Sequence, residues 1–588
     1  MHDPHPAAPY SGAELRPLAR LLAVLAAWGL LLLAQPGLFG RDGQGWLAWF
    51  ALIPWAWAAS RPGKRAKTIE WIGASFGLCG YAFWMRYLLP WAVYPMGMVP
   101  ALYMVAGGVL LRFLVRRWPL ALAVPLAWLA AESVRFTLEA PFSFGWWRVG
   151  SLVHAEPWYA AGARVFGVWG LSFGMAAFAG WVVDRLNGGI RGRSWALSWM
   201  VGLGAPALVW AAGAATAPPA TTAGPRVLVL TAGLEQSLKQ SSSDPMLTRV
   251  VDPIELAFEG TGALQQRGES PPDLVALGET MLPAVSADPD VAQALAQGTN
   301  APDFAGRPWQ AEDLQDQSLW LNQILGWLQG AERPPIPLGQ KYPHAWLHSE
   351  RPPLPAGTPV FAGVEGLVVR DGHLWRVNGA RIWDGAGQPG PLASKVHLVP
   401  AAENPYPAAY LPFLLNIIRR VGGYIPDFVT LGGPGALEFT GRDGRDWRAG
   451  VLICYDNAFD DPFLGVQGGA GVDFHMVASN EAWYERSVLM DHMIAFSRLA
   501  AISVGRSVLR VTNSGATCLV GPDGTLLDLL EVEGEHKMVR GTLLAEVPVP
   551  VVVEGGERPR TPFVRTRSAQ TWGFWLVLAL AGFLARRR

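Results

Sequence analysis

The sequence predicts a multi-span α-helical membrane domain followed by an α/β domain with a large sheet. Three observations carry that expectation. Apolar residues make up 51% of the 588 residues and charged residues only 16%, against about 25% charged in an average soluble domain. Long apolar runs crowd the first third of the chain. Beyond residue 226 the pattern changes to short β-branched runs separated by turn dipeptides. Formal net charge is zero, so no nucleic-acid surface is expected. Cys79, Cys454 and Cys518 are the only cysteines. They cannot build a disulfide framework and lack the paired spacing of a zinc site.

The membrane domain, 1–214, is read from seven apolar runs at 18–38, 45–60, 71–92, 97–115, 120–136, 166–184 and 195–214. Their lengths scatter around the about 20 residues a bilayer requires. As core helices of a soluble protein they would leave no polar face for water. The 28 tryptophans suit the boundary between lipid and water. Orientation follows from Lys and Arg in short loops. Arg61, Lys64, Arg65 and Lys67 follow the second run, Arg116 and Arg117 the fourth, and Arg185, Arg191 and Arg193 the sixth. The loops after the first and third runs carry Arg41 alone and no positive charge. The N-terminus and the even loops are therefore expected in the cytoplasm, and whatever follows the seventh run outside. Further runs follow the first immediately, which argues against a cleaved signal. Within "APFSFGWWRVG", 140–150, Trp146 and Trp147 are expected at the outer interface, as anchors or as a lip of a lipid-accessible site.

A Pro- and Ala-rich linker is expected at 215–225, then a globular domain over 226–553. Asp-Gly, Asn-Gly and Asn-Ser-Gly between alternating runs predict hairpins. The stretch "ERSVLMDHMIAFSRLAAISV" predicts a helix inside this domain. Residues 284–357 read as an insertion, partly helical around "DLQDQSLWLNQILGWLQG". A second linker is expected at 554–571 and an eighth span with a basic tail at 572–588. The apolar stretch Trp572–Ala585 has 14 residues. At about 1.5 Å per residue it is short for a span, though terminal arginines can snorkel and extend it. The alternative is an interfacial helix.

The chemistry centres on "GVLICYDNAFDDPF", 450–463. A lone cysteine is usually a small buried hydrophobe. A nucleophilic one needs a base or a field that favours thiolate, since a free thiol has a pKa of about 8.5. His397, His475 and His492 are candidate bases, but none sits in a protease-like signature. A carboxylate with a lysine beside it is the other option. Glu279 ends "DLVALGE", Lys395 opens "KVHLVPAAE" and Cys454 ends "GVLICYD". Strand ends on one rim of a sheet commonly assemble a site.

That order and those flanks resemble the nitrilase superfamily, whose members use a Glu–Lys–Cys triad in an α-β-β-α sandwich. With spans on both sides, the chain is similar to the membrane-embedded branch, the apolipoprotein N-acyltransferases. "ASNEAWY", "GRSVLRVTNSGAT…GPDG" and "QSLK" at 236–239 add to the match. The resemblance implies Glu279 as general base, Cys454 as nucleophile and Lys395 as oxyanion stabiliser, with Glu403, Tyr455, Asp456 and Trp483 supporting the site or lining the substrate path. It implies a phospholipid acyl donor, a diacylated apolipoprotein acceptor, a ping-pong thioester mechanism and no cofactor or metal. It also implies a multi-pass protein of the bacterial inner membrane with its catalytic domain on the periplasmic side. The domain's tethers agree, since donor and acceptor both lie in the bilayer.

Several positions depart from the family pattern. Gly278 stands where Pro is usual before the base, and a looser Glu279 is expected from its backbone freedom. "PAAE" replaces "PFGE", Asp456 replaces a glutamate, and Ala500 and Ser503 remove an expected ion pair. A tethered amidase using water, and a non-catalytic lipoprotein-binding relative, are the competing readings.

Overall fold

The computed structural model describes residues 14–88, 90–138, 145–188, 192–235, 251–282, 285–299, 311–330, 354–400, 402–404, 413, 428–553 and 556–586. The chain divides into two units. One comprises Met1–Pro218, Ser487–Gly505 and Arg560–Arg588; the other comprises Pro219–Arg486 and Arg506–Pro559.

In the first unit the apolar runs fold as α1 (Pro17–Ala34), α2 (Ala48–Ala59), α3 (Ala66–Tyr81), α4 (Val93–Leu114), α5 (Leu120–Thr137), α6 (Ala163–Asn187) and α7 (Gly192–Ala215). Among the described residues six helices are long and apolar enough to cross a membrane. They are α1, α4 with its preceding turn, α5, α6, α7 and a C-terminal helix, Pro562–Arg586. Helices α2 and α3 are shorter, at 12 and 16 residues.

Helix α3 begins five residues before the apolar run at 71 because its first turn holds a polar residue the helix buries. Glu70 accepts hydrogen bonds from Arg20 Nη1 at 2.7 Å and Arg112 Nη1 at 2.6 Å. Arg20, fully buried, also donates to the carbonyls of Ala58, Arg61 and Pro62. One carboxylate thus ties α1, α3 and α4 together. Glu70→Ala leaves two guanidinium groups without their acid, and breaking such a buried pair costs about 3–5 kcal/mol. The expected result is a clearly lowered melting temperature of the detergent-solubilised protein, with Lys67→Ala on the exposed face of α3 unchanged.

The C-terminal helix has 25 residues, longer than the apolar stretch that announced it. Polar residues 565–571 simply continue the helix. Thr561 starts it: its hydroxyl donates to the Ser503 carbonyl at 2.6 Å and accepts the Val564 N–H at 3.2 Å. At about 1.5 Å per residue its length of roughly 37 Å suffices for a span. Near its start the Phe563 ring fills the space over Gly167, 2.4 Å from where a Cβ would stand, at a break in α6 where Gly167 has φ +63°.

Trp146 and Trp147 are buried, which corrects their expected place at the lipid boundary. Trp146 lies against Trp84 and Phe496, with ring centroids 5.3 and 6.1 Å away, and Trp147 meets Tyr81 edge-on. Residues 140–144 of that stretch lie outside the described residues. The helix Leu489–Val504, expected inside the globular domain, groups with the membrane unit. There His492 lies 5.2 Å from Tyr81 and Arg498 pairs with Asp42 at 2.9 Å. Nearly every face of this helix is apolar and buried, so sequence periodicity could not say which unit would claim it.

The second unit holds two sheets. The first has the order β13-β1-β2-β4-β5-β6, with β3 also on β4. Its strands are β1 (Thr221–Thr231), β2 (Leu274–Leu277), β3 (Val285–Ala287), β4 (Val360–Arg370), β5 (His373–Trp383), β6 (Ala393–Ser394) and β13 (Gly541–Pro550). The second has the order β12-β11-β10-β9-β8-β7. It contains β7 (Gly435–Thr440), β8 (Asp446–Ile453), β9 (Phe474–Ser479), β10 (Val508–Thr512), β11 (Cys518–Val520) and β12 (Leu526–Leu529). One core joins the two sheets, with Val229, Ala276 and Phe361 from the first and Val451, Ile453, Met476 and Val511 from the second. Helices α8 (Asp252–Gln266) and α9 (Ala311–Leu328) supply a further apolar layer through Ile254, Leu256, Leu321 and Leu325, packed with Leu228, Val275 and Ala362 of the first sheet.

Strand β1 starts at Thr221, so the expected linker is partly sheet, paired with β13 from Pro550 onward. Likewise β3 and α9 place parts of 284–357 within the sheet and its core. The remainder of that segment, 300–310 and 331–353, and "QSLK" at 236–239 lie outside the described residues. Asp371 and Gly372, with φ of 53° and 74°, make the β4–β5 hairpin turn, as a primed turn requires. Asn378-Gly379 does not turn; it lies in the middle of β5 opposite Glu365 and Val364. Glycine is needed there because the Ala393 carbonyl of β6 passes 2.5 Å from its Cβ position.

Candidate active site

Strand ends deliver the side chains expected to form the site. Glu279 follows β2, Lys395 follows β6, Cys454 follows β8 and Asn480 follows β9. Val451, Leu452 and Ile453 are fully buried strand residues, and Cys454 packs partly buried against the core between the sheets. Its backbone is left-handed, with φ 48°, at the start of a tight turn through Ala458. A non-glycine residue pays about 1–3 kcal/mol for such a conformation. Asp456 holds the turn. Its carboxylate accepts the Ile453 N–H at 3.0 Å and, across the site, the N–H groups of Val396 at 3.2 Å and His397 at 2.7 Å. The shorter acid therefore reaches its own turn and the segment after Lys395 together.

Glu279 and Lys395 are buried in a small ionic cluster. Glu279 Oε1 accepts Asn378 Nδ2 at 2.7 Å and pairs with Lys395 Nζ at 3.5 Å; its Oε2 accepts the Asn480 N–H at 2.9 Å. Lys395 Nζ also donates to Glu403 Oε1 at 2.8 Å. Glu403 in turn accepts from Asn378 Nδ2 at 2.7 Å and from the Val399 N–H at 2.8 Å. One ammonium is thus shared by two carboxylates, with an amide between them. Burial alone would lower the Lys395 pKa, but Glu403 and Glu279 carry it well above the ordinary lysine value. Burial, then the Glu279 charge, push the Cys454 thiol up, opposed by Lys395 and by the Ser479 hydroxyl. A neutral thiol beside a buried carboxylate can surrender its proton as it attacks. The ammonium then faces the negative charge that develops.

Gly278 does not leave Glu279 loose. The carboxylate has three partners, and the Asn513 N of the loop after β10 passes 2.2 Å from the Gly278 Cβ position. A side chain there would displace the loop, which is the physical reason for glycine.

Of the other expected residues, Tyr455 is buried and meets the Phe459 ring edge-on at 4.9 Å. Trp483 lies in the short turn Ala482–Tyr484, 39% exposed. His397 stacks on Phe459 at 3.8 Å and binds Asp461, while buried His475 is engaged by Gln467. Ala500 and Ser503 belong to the other unit. Sequence reasoning missed Asn378, Ser479, Asn480 and the fully buried pair Glu481–Arg510. The "SNEAW" motif held three of these in plain view; Asn378 was concealed by the turn signal of Asn-Gly.

Burial raises the Asp456 pKa to about 6, against the pull of Lys395 and His397. A raised folded value means that this acid's contribution to stability is full below the ordinary aspartate range and is lost as pH rises through about 6. Between pH 4 and 6 the wild-type melting temperature should therefore fall relative to Asp456→Asn, measured by thermal melts across that window.

Two family models match the chain. The apolipoprotein N-acyltransferase N-terminal domain matches residues 21–181 and the carbon-nitrogen hydrolase domain residues 356–554. An apolipoprotein N-acyltransferase of Ralstonia nicotianae is 34% identical over 143 residues, 24% of this chain and 25% of that one. One from Neisseria meningitidis serogroup B is 28% identical over 198 residues, 33% of each chain. The aligned stretches thus span about a quarter to a third of these relatives' own length. Among solved structures, the amidase from Nesterenkonia sp. aligns with 60% of this chain and all of its own in one form, at 13% identity and a TM-score of 0.31.

Proposed function

We propose, since the chain belongs to the apolipoprotein N-acyltransferase family of the nitrilase superfamily, that it moves an acyl chain from a membrane phospholipid to the N-terminal amine of a diacylglyceryl-cysteine lipoprotein. The observation that carries this reading is the Lys395 ammonium shared by Glu279 and Glu403, both of whose charges reach Cys454.

Cys454 Sγ attacks the ester carbonyl of the donor while Glu279 takes the thiol proton. Lys395 opposes the oxyanion. As the tetrahedral state collapses, the C–O bond breaks, Glu279 protonates the lysophospholipid oxygen, and a thioester remains. The lipoprotein amine then attacks the thioester, gives a proton to Glu279 and forms an amide. The C–S bond breaks and the proton returns to sulfur. Glu403 holds Lys395, Asn378 spaces the two acids, and Asp456 fixes the nucleophile's turn. Trp483, partly exposed next to this cluster in sequence, and Tyr455 line the substrate path. No cofactor or metal enters this scheme. The six membrane-capable helices and the Lys/Arg pattern of the loops support a multi-pass protein of the bacterial inner membrane with its globular unit on the periplasmic side.

The test uses purified full-length protein, labelled phospholipid and a diacylated lipopeptide, followed by mass. Acyl-Cys454 and then triacylated peptide are expected. Release of free fatty acid without transfer would favour a hydrolase, and peptide binding without an acyl adduct would favour a non-catalytic relative.

A further inference from the structure

Lys395 and Cys454 come from different sheets. Lys395 follows β6, the edge strand of the first sheet, and Cys454 follows β8 in the second. Strand β6 is only two residues long and pairs with β5 alone, Ser394 opposite Gly379 and Ala393 opposite Ala380. Packed sheets stand about 10 Å apart and meet through side chains. No ladder therefore fixes the ammonium relative to the nucleophile, and something else must set their register. Three parts of His397, two residues after Lys395, meet the segment that leaves Cys454. Its backbone N–H donates to Asp456 Oδ1 at 2.7 Å. Its ring lies flat on Phe459, with centroids 3.8 Å apart and planes 15° from parallel. At the ring edge Nε2 meets Asp461 Oδ2 at 2.8 Å. An ionised carboxylate only accepts, so Nε2 carries the proton. Buried Phe459 in turn meets Tyr455, the residue after the nucleophile, edge-on at 4.9 Å.

We propose that His397 is a positioning residue for Lys395. Its ring clamps the segment that follows β6 onto the turn that follows β8, and so places the ammonium for the reaction at Cys454 across two sheets that share no ladder among the described residues. Asp456 supplies the main-chain half of this clamp through the Val396 and His397 N–H groups, and the imidazole supplies the other half. Asp461 is 60% exposed, so its pair with His397 adds little stability of its own. What it fixes is the rotation of the ring over Phe459. The inference rests on the reading of Cys454 as nucleophile and Lys395 as the charge that opposes the oxyanion.

The test is the pH profile of iodoacetamide alkylation of Cys454 in the detergent-solubilised full chain, read as mass on the peptide that contains it. The charges felt at the sulfur are Glu279, Lys395 and Glu403, and of these only Lys395 favours thiolate. A loosened ammonium should therefore move the profile of His397→Ala up by about half a pH unit, with labelling about threefold slower at neutral pH. His397→Gln keeps a donor for Asp461 and a flat group over Phe459, and its profile should follow wild type. In Lys395→Met the addition of His397→Ala should move the profile no further, because an effect carried by one residue disappears with it. A His397→Ala profile that overlays wild type overturns the proposal. So does a shift of undiminished size in the Lys395→Met background. Equal shifts in the Ala and Gln variants with lowered melting temperatures also overturn it, since they mark a packing role. If Lys395→Met does not fold, the comparison of Ala with Gln decides. Labelling needs neither lipid nor peptide, so a failure of acyl transfer bears on the proposed function alone.

Discussion

Cys454→Ala should yield no acyl-enzyme and no triacylated peptide, a loss on the order of 10⁴-fold or more in transfer rate, as removal of a covalent nucleophile does in comparable hydrolases. Its melting curve should match or exceed that of wild type. The left-handed turn stays, held by Asp456 and its three backbone donors, and a thiol that burial keeps neutral leaves no unpaired charge behind when it is removed. Intact mass after incubation with labelled phospholipid reads the result directly. A variant that still acylates peptide would place the nucleophile elsewhere.

Lys395→Met should have the second largest effect. Its Nζ is the one cation that contacts both Glu279 and Glu403 among the described residues. Without it, two carboxylates face each other through Asn378, and one must take a proton because like charges at such range cannot both ionise. If Glu279 holds that proton the base is lost, and in either case the oxyanion has lost its counter-charge. A fall of about 10³-fold in the single-turnover acylation rate is expected, the order of one general base or one oxyanion donor. Stability should fall by about 3–5 kcal/mol, as for any buried pair broken on one side. The sign with pH separates the two proteins. In wild type the raised Lys395 value keeps its contribution full below the ordinary lysine pKa and loses it only as pH climbs beyond. In Lys395→Met the remaining acids make stability decline as pH rises out of the acid range. Thermal melts between pH 5 and 9 distinguish these slopes, and equal slopes would show that the ammonium does not carry the cluster.

How much of this was legible beforehand depended on how local the signal was. The apolar runs announced their helices because hydropathy accumulates along the chain. The run that became α3 was misplaced by five residues because a buried Glu70 looks polar until Arg20 and Arg112 are brought to it. The C-terminal helix was underestimated for the related reason that Arg565 to Thr571 are helical without being apolar. Glu279, Lys395 and Cys454 could be picked out, since each ends or follows an apolar strand and their order resembles a known family. Asn378 could not, because Asn-Gly is a turn signal and only the pairing of β5 with β4 and β6 holds it straight. Ser479 and Glu481 stood in plain view in "SNEAW", but only the fold brings Glu481 to the distant Arg510.

By itself the sequence determined where the chain is apolar and where the pattern turns from long apolar runs to short strands, since these follow from hydropathy and periodicity over short windows. Only the tertiary structure decided that Lys395 is shared by two acids, that Asp456 holds the turn at Cys454, and that the helix Leu489–Val504 joins the membrane unit. Each of those depends on groups far apart in the chain that strand register and close packing bring within a hydrogen bond of one another.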